Sequence, residues 1–330
     1  MLPPPQTAFV LGAGLGTRLK SLTRHLPKPL IPVCNAPLIT RAFAHLHSAG
    51  VRRFVVNTHW QAHAYHTAFP DSRWNGCPLT FSHESPEVLE TAGGLQHAAS
   101  HLPEHEPFWV YNGDILSSLP LASAWAAHRE AKHEITLVLR SSGGPLHILR
   151  DHASGRVLDI GRRLHPDREP HHLFTGIYLV EPAFLARIPV ATKISVIPIF
   201  MEMIRQNARL GSVVVDEGEW WDLGSREQIL GVHSHLSQTP RSHAAGENNP
   251  FKLQPTPSNG PWIAPTASVA PDAWLSPSTA VGEGCHIGEG ASLTDCVIWE
   301  NARIAPGARL LRCIVTAGTT VSGTHTDADL

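Results

Sequence analysis

The chain has 330 residues, a formal net charge of −2 and a pI near 6.9, with 42% hydrophobic residues. That length supports one large or two ordinary folded units with real cores, and the balanced charge excludes an electrostatic nucleic-acid binder. Five cysteines are too few, and odd in number, for a disulfide framework, and neither a signal-like start nor an apolar run long enough for a membrane occurs, so a cytoplasmic protein without a membrane partner is expected.

The first predicted strand, Phe9-Val10-Leu11, runs directly into Gly12, Ala13, Gly14, Leu15, Gly16, Thr17 and Arg18. Small residues there let backbone N–H groups approach phosphate oxygens, and Arg18 adds a planar, permanently charged fork. A plain strand-to-helix turn accounts for the glycines alone. Two named phosphate loops do not fit: the third glycine comes one residue early for a dinucleotide fingerprint, and the loop ends Gly16-Thr17-Arg18 rather than Gly-Lys-Ser/Thr. Farther on, Lys28 lies between Pro27 and Pro29, a point charge on a stiffened turn.

Leu38, Ile39, Ala42, Phe43, Leu46 and Ala49 follow helical spacing up to Gly50, and Arg53–Asn57 reads as a buried strand. Further strands are predicted at Leu79–Ser82, Phe108–Tyr111, Ile135–Leu139, Phe174–Val180 and Ser212–Val215. Helices are predicted at Gly93–His101, Ala122–Lys132, Val196–Asn207 and Arg226–Leu236. This alternation implies an α/β fold, a Rossmann-like, mostly parallel sheet flanked by helices, with ligands bound beyond the strands' carboxyl ends. The 22 histidines are scattered without metal-ligand spacing and read mostly as surface residues.

Residues 238–262 hold five prolines and no apolar periodicity, and read as a linker between a unit over 1–237 and another over 263–330. In the latter, apolar residues recur every sixth position from Ile263 through Val269, Leu275, Val281, Ile287 and Leu293. The step shortens to five at Ile298 and again at Val315. A six-residue period suits a triangular β-solenoid, and it resembles the hexapeptide-repeat left-handed parallel β-helix. Cys296 and Cys313 lie 17 residues apart, one coil, so they should stack as small buried side chains in a reduced protein. Exposed strand edges at the end of such a solenoid imply a homo-oligomer.

The segment LGAGLGTRLKSLTRHLPKPLIPV, Leu11–Val33, resembles the signature of sugar-1-phosphate nucleotidyltransferases. Gly14, Gly16, Arg18, Leu19, Leu22, Thr23, Pro27, Lys28, Pro29, Leu30, Pro32 and Val33 fall in register; Ser21 replaces a usual proline without removing a phosphate ligand. The resemblance implies a GT-A-like fold and an NTP:sugar-1-phosphate nucleotidyltransferase that uses Mg²⁺. Its substrates would be an NTP and a sugar 1-phosphate. Arg18 and Lys28 are then the catalytic cations, and Leu11, Gly12, Ala13, Gly14, Gly16 and Thr17 the nucleotide cradle.

Asp114 follows the run Phe108–Tyr111 and Asn112-Gly113, and Asp222 sits in Trp220-Trp221-Asp222-Leu223-Gly224. Either aspartate alone reads as a turn residue or helix cap; with the loop, the family resemblance makes them its metal pair. Glu84–Leu95, ESPEVLETAGGL, resembles the family's nucleobase loop. It adds Glu84, Leu89, Thr91 and Gly93, with Asn112 beside them, to the nucleotide-binding set. This loop is more like N-acetylmuramate-1-phosphate uridylyltransferases, whereas the solenoid is more like mannose-1-phosphate guanylyltransferases. The expectation leans to UTP and an amino-sugar 1-phosphate, with GTP and mannose 1-phosphate as the alternative and a non-catalytic nucleotide-sugar-binding paralogue as a third reading. Thr175 and Gly176 match the family's sugar-contacting pair. The sugar phosphate falls to Arg162, its neighbour Arg163, or Lys193, because the usual Glu-Lys-Pro lysine is absent.

Overall fold

The structure, a computed structural model, describes residues 3–238 and 260–330. The expected linker falls almost wholly outside the described residues. The described chain divides into two compact units. One holds the chain up to Leu15 together with Ile39–Trp221; the other holds Gly16–Leu38 together with the chain from Asp222 onward.

The first unit is built on β1 (Thr7–Leu11), β2 (Arg53–Thr58), β3 (Cys77–His83), β4 (Phe108–Asn112), β5 (Ile135–Arg140), β6 (Leu173–Val180) and β7 (Leu210–Val214). Its helices are α1 (Ile39–Ser48), α2 (His63–Ala68), α3 (Glu90–His97), α4 (Leu121–Glu130) and α5 (Val196–Arg205); α6 (Arg226–Gln238) belongs to the second unit. The sheet order is β7-β5-β6-β4-β1-β2-β3, extended by the edge strand Arg73–Trp74. The pairs β4/β1, β1/β2, β2/β3 and β7/β5 are parallel, as the alternating pattern predicts. β6 is the exception, antiparallel to both neighbours. Near-continuous apolar runs in these strands bury both faces. One face is filled by Phe9, Val55, Val110, Leu137 and Tyr178 against Ala92 and Leu95 of α3 and Phe200 and Met201 of α5.

The second unit contains a stack of short parallel strands in three four-stranded sheets. Ile263, Val281, Ile298 and Val315 are register partners down one side; Val269, Ile287, Ile304 and Val321 line the next. Leu275, Leu293 and Leu310 line the third. The six-residue period is therefore the side-to-side advance, and the two five-residue steps fall at the same corner. Cys296 and Cys313 each precede paired strands and are fully buried, as expected of stacked neighbours. All five cysteines are free and buried. Five histidines (His45, His128, His133, His172 and His233) are buried rather than on the surface. Among the described residues, no helix is long and apolar enough to cross a membrane.

Candidate active site

At the carboxyl end of the parallel strands, Leu11 of β1 is in register with Asn57 of β2 and with Asn112 of β4, so a polar rung closes an apolar sheet. Asn57 ties three segments together. Its Oδ1 accepts from Gly12 N at 2.8 Å, and its Nδ2 donates to Glu84 Oε1 at 2.6 Å. Glu84 Oε2 in turn accepts from Leu89 N at 2.7 Å, just ahead of α3. Asn57 is 1% exposed and Glu84 fully buried. Glu84 therefore shapes the Glu84–Leu95 loop from beneath, with both oxygens engaged within the protein. The apolar-run-then-Asn pattern at Asn57 was the available signal for this organiser.

Gly12 is required by close approach: a Cβ there would lie 2.6 Å from Asn57 O and 2.8 Å from the Tyr65 hydroxyl. Tyr65 of α2 donates to Gly12 O at 2.8 Å. Burial pushes its phenol pKa up, and the Asp114 charge pushes it further. Asp114's field thus reaches the residue that clamps the glycine loop. A Cβ on Gly14 would meet nothing within 4 Å, so that part of the loop is open. Ala13 is buried.

The Glu84–Leu95 loop is stitched to the start of α5. Ala92 N and Gly93 N both donate to Ile194 O at 3.0 Å, and Thr91 Oγ1 accepts from Val196 N at 2.7 Å. Lys193 lies in that same stitch, its Nζ 3.2 Å from Glu87. Thr175 and Gly176 form a bulge in β6, where pairing with β5 slips between Phe174 and Tyr178. Gly176 has φ +80° and rests on the Asn112 side chain. Thr175 is buried with its hydroxyl on Val138 O at 2.8 Å, and its carbonyl accepts from Trp220 Nε1 at 2.9 Å. The bulge thus belongs to the same strand-end region as Asn112. Arg162 is exposed, at φ +58°, and paired with Glu169 at 3.3 Å. The turn bearing Arg162 and Arg163 is formed by Asp159, which accepts from the amides of Ile160, Arg163, Leu164 and His165. Burial pushes Asp159 up, but those four amides outweigh it and hold the carboxyl below its usual range.

The second unit carries Gly16, Thr17, Arg18, Lys28 and Asp222. Gly16 takes a left-handed φ of +62°, and its carbonyl accepts from Leu19 N (2.9 Å) and Thr23 Oγ1 (3.0 Å), which turns the chain into a 3₁₀ segment with Arg18 exposed. Lys28 is 6% exposed, and its Nζ lies 3.6 Å from Asp222 Oδ1. A Cβ on Gly224 would lie 2.9 Å from Arg18 Nη1, so that glycine forms a floor under the guanidinium. Arg18, Lys28 and Asp222 are thereby gathered within one unit.

Among the described residues, no group of three or more His, Cys, Asp or Glu could hold a metal alone. Mg²⁺ needs no such cage. It keeps several waters and takes one or two carboxylates with phosphate oxygens, and within the second unit Asp222 offers one such carboxylate.

The family model described as nucleotidyl transferase matches residues 7–239, and one described as GMPPB C-terminal domain matches residues 259–326. The chain is 27% identical over 92% of its length to a mannose-1-phosphate guanylyltransferase of Mycobacterium tuberculosis, covering 83% of that protein. It is 29% identical over 93% of its length to the mannose-1-phosphate guanylyltransferase catalytic subunit beta of Danio rerio, covering 85% of it. Among solved structures, the inositol-1-phosphate CTP transferase of T. maritima aligns over 69% of this chain and 93% of its own, with TM-score 0.57 and 18% identity. HddC of Yersinia pseudotuberculosis aligns over 68% and 97%, with TM-score 0.57 and 21% identity. Those two support the fold.

Proposed function

Since the chain belongs to the nucleotidyl transferase family, we propose that this sugar-1-phosphate nucleotidyltransferase transfers a guanylyl group from GTP to mannose 1-phosphate, releasing pyrophosphate. The observation that carries the substrate choice is the likeness to mannose-1-phosphate guanylyltransferases over 92–93% of the chain, the C-terminal stack included. That likeness favours the alternative over the lean to UTP and an amino sugar, which rested on the Leu89-Glu90-Thr91 loop with Asn57–Trp60 and Phe174–Ile177.

In the reaction, a sugar-phosphate oxygen attacks the α-phosphorus in line as the bond to the β-phosphate oxygen breaks. The nucleophile is already an anion, so the protein supplies position and charge neutralisation. Of the glycine-loop residues Leu11, Gly12, Ala13, Gly14, Gly16 and Thr17, Gly12 gives its amide to Asn57 Oδ1 and shapes the loop, the others receive the phosphates, and Arg18 and Lys28 offset charge on the departing pyrophosphate. Asp114 and Asp222 are the carboxylates that the family resemblance assigns to Mg²⁺, which would neutralise phosphate charge when bound. The Leu89–Gly93 loop cups the base over the support given by Asn57 and Glu84, and the Thr175–Gly176 bulge receives the sugar. Lys193 and the Arg162–Arg163 turn are the cations offered for the sugar phosphate. The chain up to residue 237 then serves catalysis and residues 263–330 assembly into a homo-oligomer.

The test is pyrophosphate release by the full chain with Mg²⁺, each of GTP and UTP, and each of mannose 1-phosphate and N-acetylmuramate 1-phosphate. GTP with mannose 1-phosphate should turn over fastest, and Asp114→Asn or Asp222→Asn should slow it by about 10²-fold or more. Faster turnover with UTP and the amino sugar would overturn the substrate assignment. No turnover with any pair, alongside tight GDP-mannose binding, would replace the enzyme by a binding protein.

A further inference from the structure

The segment Asp222–Arg226 links the site residues of the second unit to the strand stack. Leu223 is buried, Gly224 lies under Arg18, and Arg226 opens α6. The Arg226 side chain, 14% exposed, is saturated by the last coil. Its Nε donates to Asp329 Oδ1 at 2.7 Å, its Nη1 lies 3.6 Å from Asp327 Oδ1, and its Nη2 donates to the Arg312 carbonyl. Arg312 Nε also donates to Asp327 Oδ1, at 2.8 Å. The two aspartates are themselves fixed. Ile314 N donates to Ala328 O (3.0 Å), and Leu330 N donates to Ile314 O (2.9 Å), so residues 328–330 continue the stack as an added strand.

The Lys28 segment is tied to the stack as well. Asn35 Nδ2 donates to Trp262 O at 3.1 Å and to Val281 O at 2.9 Å, on the first two coils. Cys34 N donates to His233 Nε2 at 2.9 Å, and His233 Nδ1 reaches Ile229 O at 2.8 Å. Asp222 is four residues from Arg226, too short a tether to absorb a displacement through a turn whose Leu223 is buried. Surface ion pairs are ordinarily worth little. Arg226 differs because a planar fork spread over three acceptors fixes orientation as well as charge.

We propose that Arg226 is a positioning residue for the metal aspartate: through Asp329, Asp327 and the Arg312 carbonyl, the terminal coil of the stack sets where the Asp222 carboxylate stands beside Lys28. This rests on the reading of Asp222 as a metal ligand. The stack then does more than assemble copies of the chain, since its last residues belong to the supporting structure of the reaction.

The test measures kcat, the KM for GTP and the half-saturating Mg²⁺ concentration in Arg226→Gln, Asp329→Asn, the double variant, Arg226→Lys and Asp222→Asn, with the folded fraction of each checked by circular dichroism. Displacement of a catalytic group by a fraction of an ångström predicts a kcat about tenfold lower in Arg226→Gln and a half-saturating Mg²⁺ several-fold higher, with the KM for GTP within about twofold. The double variant should be no worse than the worse single one. Arg226→Lys should recover only part, because one ammonium cannot reach all three acceptors. A mere loss of folded protein lowers kcat alone and leaves the Mg²⁺ requirement unmoved, and that result in Arg226→Gln and Asp329→Asn would overturn the proposal. If Asp222→Asn itself leaves the Mg²⁺ requirement unmoved, the metal reading of Asp222 fails. If Asp222→Asn shifts it while the Arg226 variants do not, only the positioning role fails.

Discussion

Replacing Asn57 by aspartate isolates the contact that ties Gly12 to Glu84. The change is isosteric: the carboxylate still accepts from Gly12 N, now 2.8 Å from Oδ1. The amide NH₂ that donates to Glu84 Oε1 at 2.6 Å becomes an oxygen. Two buried carboxyl groups at that separation cannot both ionise and must share a proton. The folded variant therefore holds a proton that the unfolded chain loses near pH 4, and each pH unit above that costs about 1.4 kcal/mol until the folded pair itself titrates. The loss relative to wild type should be about 1 kcal/mol at pH 5 and up to about 5 kcal/mol at pH 7.5, always larger at higher pH. Urea unfolding followed by tryptophan fluorescence at both pH values measures it. Asn57→Ala provides the contrast, since it leaves Gly12 N–H and Glu84 Oε1 unpaired at about 1–3 kcal/mol each, independent of pH. An Asn57→Asp loss that is equal at pH 5 and pH 7.5 would refute the relay from Gly12 through Asn57 to Glu84.

Gly12→Ala and Gly14→Ala should separate packing from ligand access. The Gly12 Cβ would lie 2.6 Å from a backbone oxygen and 2.9 Å from Val56 Cγ1, costing about 1–3 kcal/mol in thermal unfolding. Gly14→Ala, with open space around its Cβ, should keep the wild-type melting temperature while weakening GTP binding in calorimetry by about tenfold or more. Acid should also loosen the fold through two buried histidines. Burial pushes His45 and His128 down to about 4. Each is neutral when folded and protonates near 6.5 when unfolded, so its stabilisation is full above pH 6.5 and falls by about 1.4 kcal/mol per unit as pH drops toward 4. In His45→Gln, which removes one titrating ring, stability measured by urea unfolding should fall less steeply over that window.

The parts legible in the sequence are those where one local rule dominates. The stack was readable to the residue because parallel coils place the same apolar positions on the same side, so Ile263, Val281, Ile298 and Val315 had to recur at coil spacing. The turn after β1 was readable because an apolar run that ends in small residues marks the end of a strand. The antiparallel β6 was not, since an apolar run buried on both faces carries no sign of direction. Nor was the Gly176 bulge, which depends on Asn112 of a different strand. Asp159 and Arg226 escaped notice for a related reason. Their importance lies in partners that are either backbone amides or far along the chain, and neither leaves a pattern in residue types.

Where the chain passes from one compact unit to the other decides which residues share a unit with the stack. The crossings fall between Leu15 and Gly16, between Leu38 and Ile39 and between Trp221 and Asp222, none of them at the proline-rich stretch. Gly12–Leu15, the Glu84–Leu95 loop and Asp114 belong to one unit. Arg18, Lys28 and Asp222 belong with the stack. Changes in the stack near Arg226 or Asn35 can therefore alter Arg18, Lys28 and Asp222 without touching Asn57, Glu84 or the Leu89–Gly93 loop. A stack variant that changed base preference while sparing the metal requirement would contradict that division, because the first unit alone supplies Asn57, Glu84 and the Leu89–Gly93 loop.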